Sequence, residues 1–78
     1  MAIAISINGK LESVADGTTV AGLLERMAVR RDVVTVELNR SIVDPARFEA
    51  TALRPGDVVE LVYLVGGDRG QPRADVVE

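Results

Sequence analysis

The apolar residues of this chain change their spacing twice, and nothing else in the sequence restricts the fold as strongly. "AIAISIN" (2–8) sets Ile3, Ile5 and Ile7 on one side and Ala4, Ser6 and Asn8 on the other, the two-residue repeat of a strand with one buried face. In "ADGTTVAGLLERMAVRRD" (15–32) the spacing becomes i, i+3, i+4, i+7 at Val20, Leu23, Leu24 and Met27, which is one face of a helix. "VVTVELN" (33–39), with Val34, Val36 and Leu38 on one face, and "VVELVYL" (58–64) then return to strand spacing. One helix among several strands predicts an α+β fold, a mixed sheet of four to five strands with the helix packed on one face.

Turn residues divide these blocks. Asn8-Gly9 predicts a type I′ hairpin, since both residues tolerate positive φ. Its return strand is expected over Lys10 to Val14, with Leu11 and Val14 as apolar contacts. Thr18 or Thr19 is placed to cap the helix, while Arg26, Arg30 and Arg31 are expected at its solvated C-terminal end, where cations favour the dipole. Gly22 either permits close approach to the sheet or is a tolerated cost. Asn39-Arg40 predicts a tight turn into a short strand at 41–43. Asp44-Pro45 then opens a helical turn around Ala46 to Glu49, with Phe48 and Leu53 as core anchors. "RPGD" (54–57) is a turn with Pro preset for the first corner and Gly for the positive-φ position.

With 78 residues there is room for one core, and with no Cys and no His the core has neither a disulfide nor the usual zinc ligands to brace it. The missing His also removes the usual general base near neutral pH. Nine basic against 12 acidic residues, net −3, argue against nonspecific nucleic-acid binding, which needs clustered Lys and Arg. The few aromatics, Phe48 and Tyr63, offer no base-stacking platform. No apolar run approaches the ~20 residues that span a bilayer, and the N-terminus lacks the blocks of a signal peptide. A soluble, cytoplasmic protein is expected.

The end of the last strand raises the functional question. "LVYLVGGDRGQPRADVVE" (61–78) runs a hydrophobic strand into Gly66-Gly67 and then continues through eleven mostly polar residues without periodicity, the composition of a flexible extension. A glycine pair is often only a loop. Phosphate binding does not fit, because no Lys-Ser/Thr and no helix follow. A third possibility is a slim arm, Val65 and Gly66, carrying a reactive terminus at Gly67 into a narrow channel of a partner.

The ordered set in "VELNRSIVDPARFEATALRPGDVVELVYLVGG" (36–67) resembles the ThiS sulfur-carrier family of bacterial thiamine biosynthesis, within the ubiquitin-like ThiS/MoaD superfamily. The "INGK" hairpin and the "DGTTVAGLLERM" helix extend the resemblance over residues 1 to 67. It implies a β-grasp domain at 1–67, followed by an extension at 68–78. It also implies that an E1-like, ThiF-type enzyme spends ATP to adenylate the Gly67 carboxylate. Sulfur from cysteine then forms a thiocarboxylate, which serves a ThiG-type thiazole synthase. The carrier binds no cofactor and is not itself an enzyme. Molybdopterin and cysteine-synthesis carriers share the glycine pair and remain alternatives, as does an interaction module without sulfur transfer.

Two further expectations follow. With Val59, Leu61 and Tyr63 toward the helix, Val58, Glu60, Val62 and Leu64 lie on the opposite face, and Val58, Val62 and Leu64 form a candidate partner-binding patch. Carriers ready for activation end at the glycine pair, whereas here the Gly67 carbonyl is in a peptide bond to Asp68. Activation therefore requires a protease to remove 68–78.

Overall fold

Both hairpin turns form around left-handed backbone. Asn8 and Gly9 have φ of 50° and 81°, and Asn39 and Arg40 have φ of 51° and 73°, the pair of positive values that a type I′ turn requires. In the computed structural model, which describes residues 1–64, these turns join β1 (Ala2–Ile7) to β2 (Lys10–Ala15) and β3 (Val34–Leu38) to β4 (Ser41–Ile42). Between them lie α1 (Val20–Arg26) and a 3-10 turn at Arg31–Val33. After β4 come a longer 3-10 segment at Pro45–Ala50 and β5 (Val58–Tyr63).

The described residues form one five-stranded sheet in the order β2-β1-β5-β3-β4. β5 runs parallel to β1 and antiparallel to β3, so the last described strand is the centre of the sheet. α1 covers one face through Val20, Leu23 and Leu24, all 2% exposed or less. Against them pack Ile5, Val36 and Val59 from the sheet and Phe48 from the second 3-10 segment, each at most 1% exposed. Leu53 is also buried, so Phe48 and Leu53 anchor the connector as the sequence predicts. A mixed sheet wrapped on one side around a single helix, with this strand order, is the β-grasp fold.

Local chemistry accounts for the element ends. Thr19 is the N-cap of α1, its Oγ1 accepting the Gly22 N–H at 3.1 Å. Asp44 caps the second 3-10 segment by accepting the Ala46 N–H at 2.9 Å, with Pro45 in the first position. The Val20 N–H donates to the Thr51 carbonyl at 2.9 Å and the Leu53 N–H to the Thr18 carbonyl at 2.9 Å, tying the start of α1 to the connector before β5.

Three sequence expectations need correction, and one alternative left open is decided. Leu11 is not a core contact: it is 76% exposed, whereas Val14 is 3% exposed. The two are three residues apart on a strand of period two, so only one of them can face inward. The helix stops at Arg26 with Met27 as its C-cap, 38% exposed, so Arg30 and Arg31 lie beyond it. The stop is a Schellman motif, with the Val29 N–H donating to the Leu24 carbonyl at 2.9 Å and the Ala28 N–H to the Glu25 carbonyl at 3.1 Å. Tyr63 does share the helix-side face, being paired with buried Val34, but it is 47% exposed. A seven-residue helix is about 10 Å long, too short to cover a β5 of about 20 Å. Finally, of the two readings of Gly22, the tolerated cost holds rather than close approach to the sheet. A Cβ there would meet only Thr19 Oγ1 at 3.5 Å and Thr18 Cγ2 at 3.7 Å, which is ordinary contact.

Candidate functional site

The hydrogen bonds of β5 converge on two asparagines. β1 turns away at Asn8, so β5 loses its main-chain partner on that side beyond Val59. The Asn8 side chain substitutes for it. The Asn8 backbone N–H donates to the Val59 carbonyl at 2.9 Å, and its side-chain Oδ1 accepts the Leu61 N–H at 2.8 Å. Asn39 does the same from the other side: its backbone N–H donates to the Val58 carbonyl at 2.8 Å and its side-chain Oδ1 accepts the Val58 N–H at 2.9 Å. Asn39 Nδ2 also donates to Asp57 Oδ1 at 3.0 Å, while Asp57 Oδ2 accepts the Arg54 N–H at 2.8 Å. Thus the residues that shape both hairpins also hold the strand that leads to the glycine pair. Sequence reading found these asparagines as turn formers and missed their side-chain bonds, which reach 53 and 19 residues along the chain.

Gly56 completes the base of β5. At φ 85° it takes the positive-φ corner of the Arg54–Asp57 turn, and its N–H donates to the Ala4 carbonyl at 2.8 Å. The strand therefore starts from a fixed point. At the other end the Leu64 N–H donates to the Val33 carbonyl at 2.7 Å, holding the last described residue to the turn that enters β3. Val65 and Gly66, expected to form the arm, and Gly67, expected to carry the reactive terminus, lie outside the described residues, as does the extension 68–78.

On the face away from α1, Val58 is 43%, Val62 48% and Leu64 60% exposed. The register brings further residues beside them. Leu11 on β2 sits opposite Ser6, and Ser6 opposite Val58; Thr35 sits opposite Val62; Ile42 and Glu60 both sit opposite Glu37. Ile42 is 70% exposed. The sequence suggested Val58, Val62 and Leu64 but could not add Leu11 or Ile42, because their place on this face depends on which strands pair.

The remaining charges near the helix are structural. Arg31 donates to both carboxylate oxygens of Glu49 and, at 2.7 Å, to the Pro45 carbonyl. Its guanidinium lies 5.1 Å from the centre of the Phe48 ring, within the range of a cation–π contact. Arg31 thus clamps the second 3-10 segment to the chain entering β3, a role different from the solvated helix end expected for it. The hydrogen bond from Arg31 holds the Glu49 carboxyl below its ordinary range, and that from Arg30 does the same for Asp32. Grooves of about 340 and 350 Å³ flank α1, one against the β1–β2 hairpin and one against the second 3-10 segment. Among the described residues no cluster of three or more His, Cys, Asp or Glu is arranged to hold a metal, and no helix is long and apolar enough to cross a membrane.

Residues 2–67 match the ThiS family. The chain belongs to the ThiS family. The match covers the whole sheet and ends on the second glycine. The sulfur carrier protein ThiS of Bacillus subtilis is 33% identical over 64 residues, covering 81% of this chain and 97% of that protein. A thiazole synthase of Magnetococcus marinus is 32% identical over 68 residues, covering 87% of this chain. The chain spans only 21% of that synthase's length. Among solved structures, the crystal structure of the thiamine biosynthesis protein ThiS from Geobacter metallireducens superposes with a TM-score of 0.74 at 37% identity. It covers 83% of this chain and 99% of that one.

Proposed function

We propose that this ThiS-family chain is a sulfur carrier of thiamine biosynthesis that works through the carboxylate of Gly67. In this reading a protease first removes residues 68–78, because a peptide-bonded carbonyl has no oxyanion to activate. The freed carboxylate attacks the α-phosphorus of ATP on an E1-like, ThiF-type enzyme, and pyrophosphate leaves. The product is a mixed anhydride with AMP, a far better acyl donor than a carboxylate. A sulfur nucleophile derived from cysteine displaces AMP and leaves a thiocarboxylate, which a ThiG-type thiazole synthase consumes. The carrier supplies no acid or base. Its contribution is presentation: a central strand held on both sides, with a two-glycine arm beyond it lacking side chains that would obstruct a narrow channel.

The observation that carries this reading is that the family match runs through every element and stops at Gly67. The similarity to part of thiazole synthases in two organisms supports the assignment of the sulfur acceptor. In this reading Val58, Val62 and Leu64 meet the partner beside the emerging arm. A second reading is favoured by one specific fact, the peptide bond from Gly67 to Asp68: a β-grasp module that binds a partner without transferring sulfur. Intact-mass measurement of the protein from its own cells separates the two. A species ending at Gly67 with sulfur in place of one oxygen is the expected result. Chain persisting to Glu78 even under thiamine starvation would sink the carrier reading.

A further inference from the structure

The sheet has two edges, and they differ. β4 at one edge is two residues long, too short to template a further strand. β2 at the other edge is six residues long, and nothing among the described residues pairs with its outer side. A free edge of that length offers unpaired N–H and C=O groups to another chain.

The pairing of β1 with β2 fixes which groups those are. The Asp16 N–H donates to the Met1 carbonyl at 2.7 Å, so Met1 and Asp16 form a hydrogen-bonded pair. Such pairs recur at every second residue, here at Ile3–Val14, Ile5–Glu12 and Ile7–Lys10. The N–H and C=O of Leu11 and Ser13 therefore point away from β1, along the open edge. The side chains of this edge also lack partners. Lys10 and Glu12 are exposed and make no ion pair among the described residues. Their neighbours across β1 are the buried Ile7 and Ile5. Leu11, between them on the opposite face, is 76% exposed.

Edges are commonly blunted by a charge that an incoming strand cannot match. This edge matches itself. Let a second β2 lie antiparallel to the first, about a two-fold axis at Leu11. Lys10 of each copy then stands directly opposite Glu12 of the other. The axis is perpendicular to the sheet, so both ion pairs form on the helix side and the two Leu11 side chains meet on the outer face. The two Leu11 residues also exchange N–H···O=C bonds, for which their backbone is already turned. An axis at Glu12 would oppose two carboxylates. An axis at Ser13 sets Glu12 against Val14 and needs the Ala15 carbonyl, which already accepts from the Thr18 N–H at 3.1 Å and the Thr18 hydroxyl at 2.6 Å.

We propose that β2 is a self-association edge, at which two copies of this chain join their sheets into one through reciprocal Lys10–Glu12 pairs and a shared Leu11 contact. The inference does not depend on the sulfur-carrier reading. β1 separates β5 from the joined edge, so the strand that leads to the glycine pair takes no part in the contact.

An edge contact buries less than a standard interface of about 1,600 Å², so the association is weak. The test is sedimentation equilibrium of the full chain from about 10 µM to about 1 mM, comparing native protein with Lys10→Glu, Glu12→Lys and the double exchange Lys10→Glu/Glu12→Lys. Native chain should dimerise toward the upper end of that range, with exchange of the Leu11 amide hydrogen slowing as concentration rises. Each single variant sets like charges opposite each other at both places and should associate at least about tenfold more weakly. The double exchange restores opposite charges and should recover the native affinity. An equimolar mixture of the two single variants should pair although neither does so alone, since one supplies only acidic and the other only basic groups at 10 and 12. A merely structural role for these residues produces neither rescue. The Leu11 exchange measurement uses native chain alone and stays decisive if a variant unfolds. Native chain that remains monomeric throughout the range overturns the inference. So does dimerisation that neither single variant weakens, which would assign the contact to another surface.

Discussion

Asn8 and Asn39 each do two jobs with one side chain. An asparagine tolerates positive φ at modest cost, and its carboxamide oxygen takes the place of a missing backbone carbonyl. Replacing either by glycine keeps the turn and removes only the side-chain bond, so the variant isolates that second job. Asn8→Gly should leave the Leu61 N–H unpaired and lower stability by about 1 kcal/mol, seen as a lower urea midpoint at unchanged slope. Asn39→Gly loses bonds to both Val58 and Asp57 and should cost at least as much. Phe48, with no exposed surface, carries the largest single burden, and Phe48→Ala should cost about 3–5 kcal/mol. In a domain of this size that is enough to abolish the cooperative thermal transition.

The helix is the least optimised element. Ala28 occupies the left-handed C′ position at φ 58°, where an L-residue costs roughly 1–2 kcal/mol and glycine does not. Ala28→Gly should therefore raise stability by up to about 1 kcal/mol, a rise of several degrees in thermal midpoint for a domain of this size. The opposite change applies within the helix. Gly22→Ala meets only ordinary contacts and should add about 1 kcal/mol from helix propensity. If it destabilises instead, the Thr19 cap is being disturbed and the space around Gly22 is tighter than described. Both substitutions lie far from the outer face of the sheet and should leave partner binding unchanged.

At the scale of the whole molecule, the chain is closed by contacts between segments distant in sequence, and some of these depend on charge. The Glu49 and Asp32 carboxyls are held below their ordinary values of 4.5 and 3.8 by hydrogen bonds from Arg31 and Arg30. A carboxyl depressed in the folded state adds stability above its unfolded pKa and loses it as the pH falls through the folded one. Stability should therefore decline on acidification starting near the ordinary carboxylate range. Glu49→Gln should flatten that decline, measured by urea unfolding between neutral and acidic pH. Because both pairs are exposed, the effect will be small.

The α+β class, the hairpin at Asn8-Gly9, the helix face of Val20, Leu23 and Leu24, and the burial of Phe48 and Leu53 were all legible in the amino-acid order. Each is set by local periodicity or by the backbone preference of a turn residue, and these act over a few neighbours. The glycine pair and the candidate residues Val58, Val62 and Leu64 were legible for the same reason, as alternate positions on one strand leading into Gly66-Gly67. What only the tertiary structure decided was which strands lie side by side. That pairing places β5 at the centre, brings Asn8 to Leu61 and Asn39 to Val58, turns Leu11 outward beside Ser6, and sets Glu37 against Glu60. None of these has a sequence signal, because strand order is chosen by how the sheet closes over one helix. A contact between residues 23 or 53 positions apart leaves no mark in the spacing of either segment.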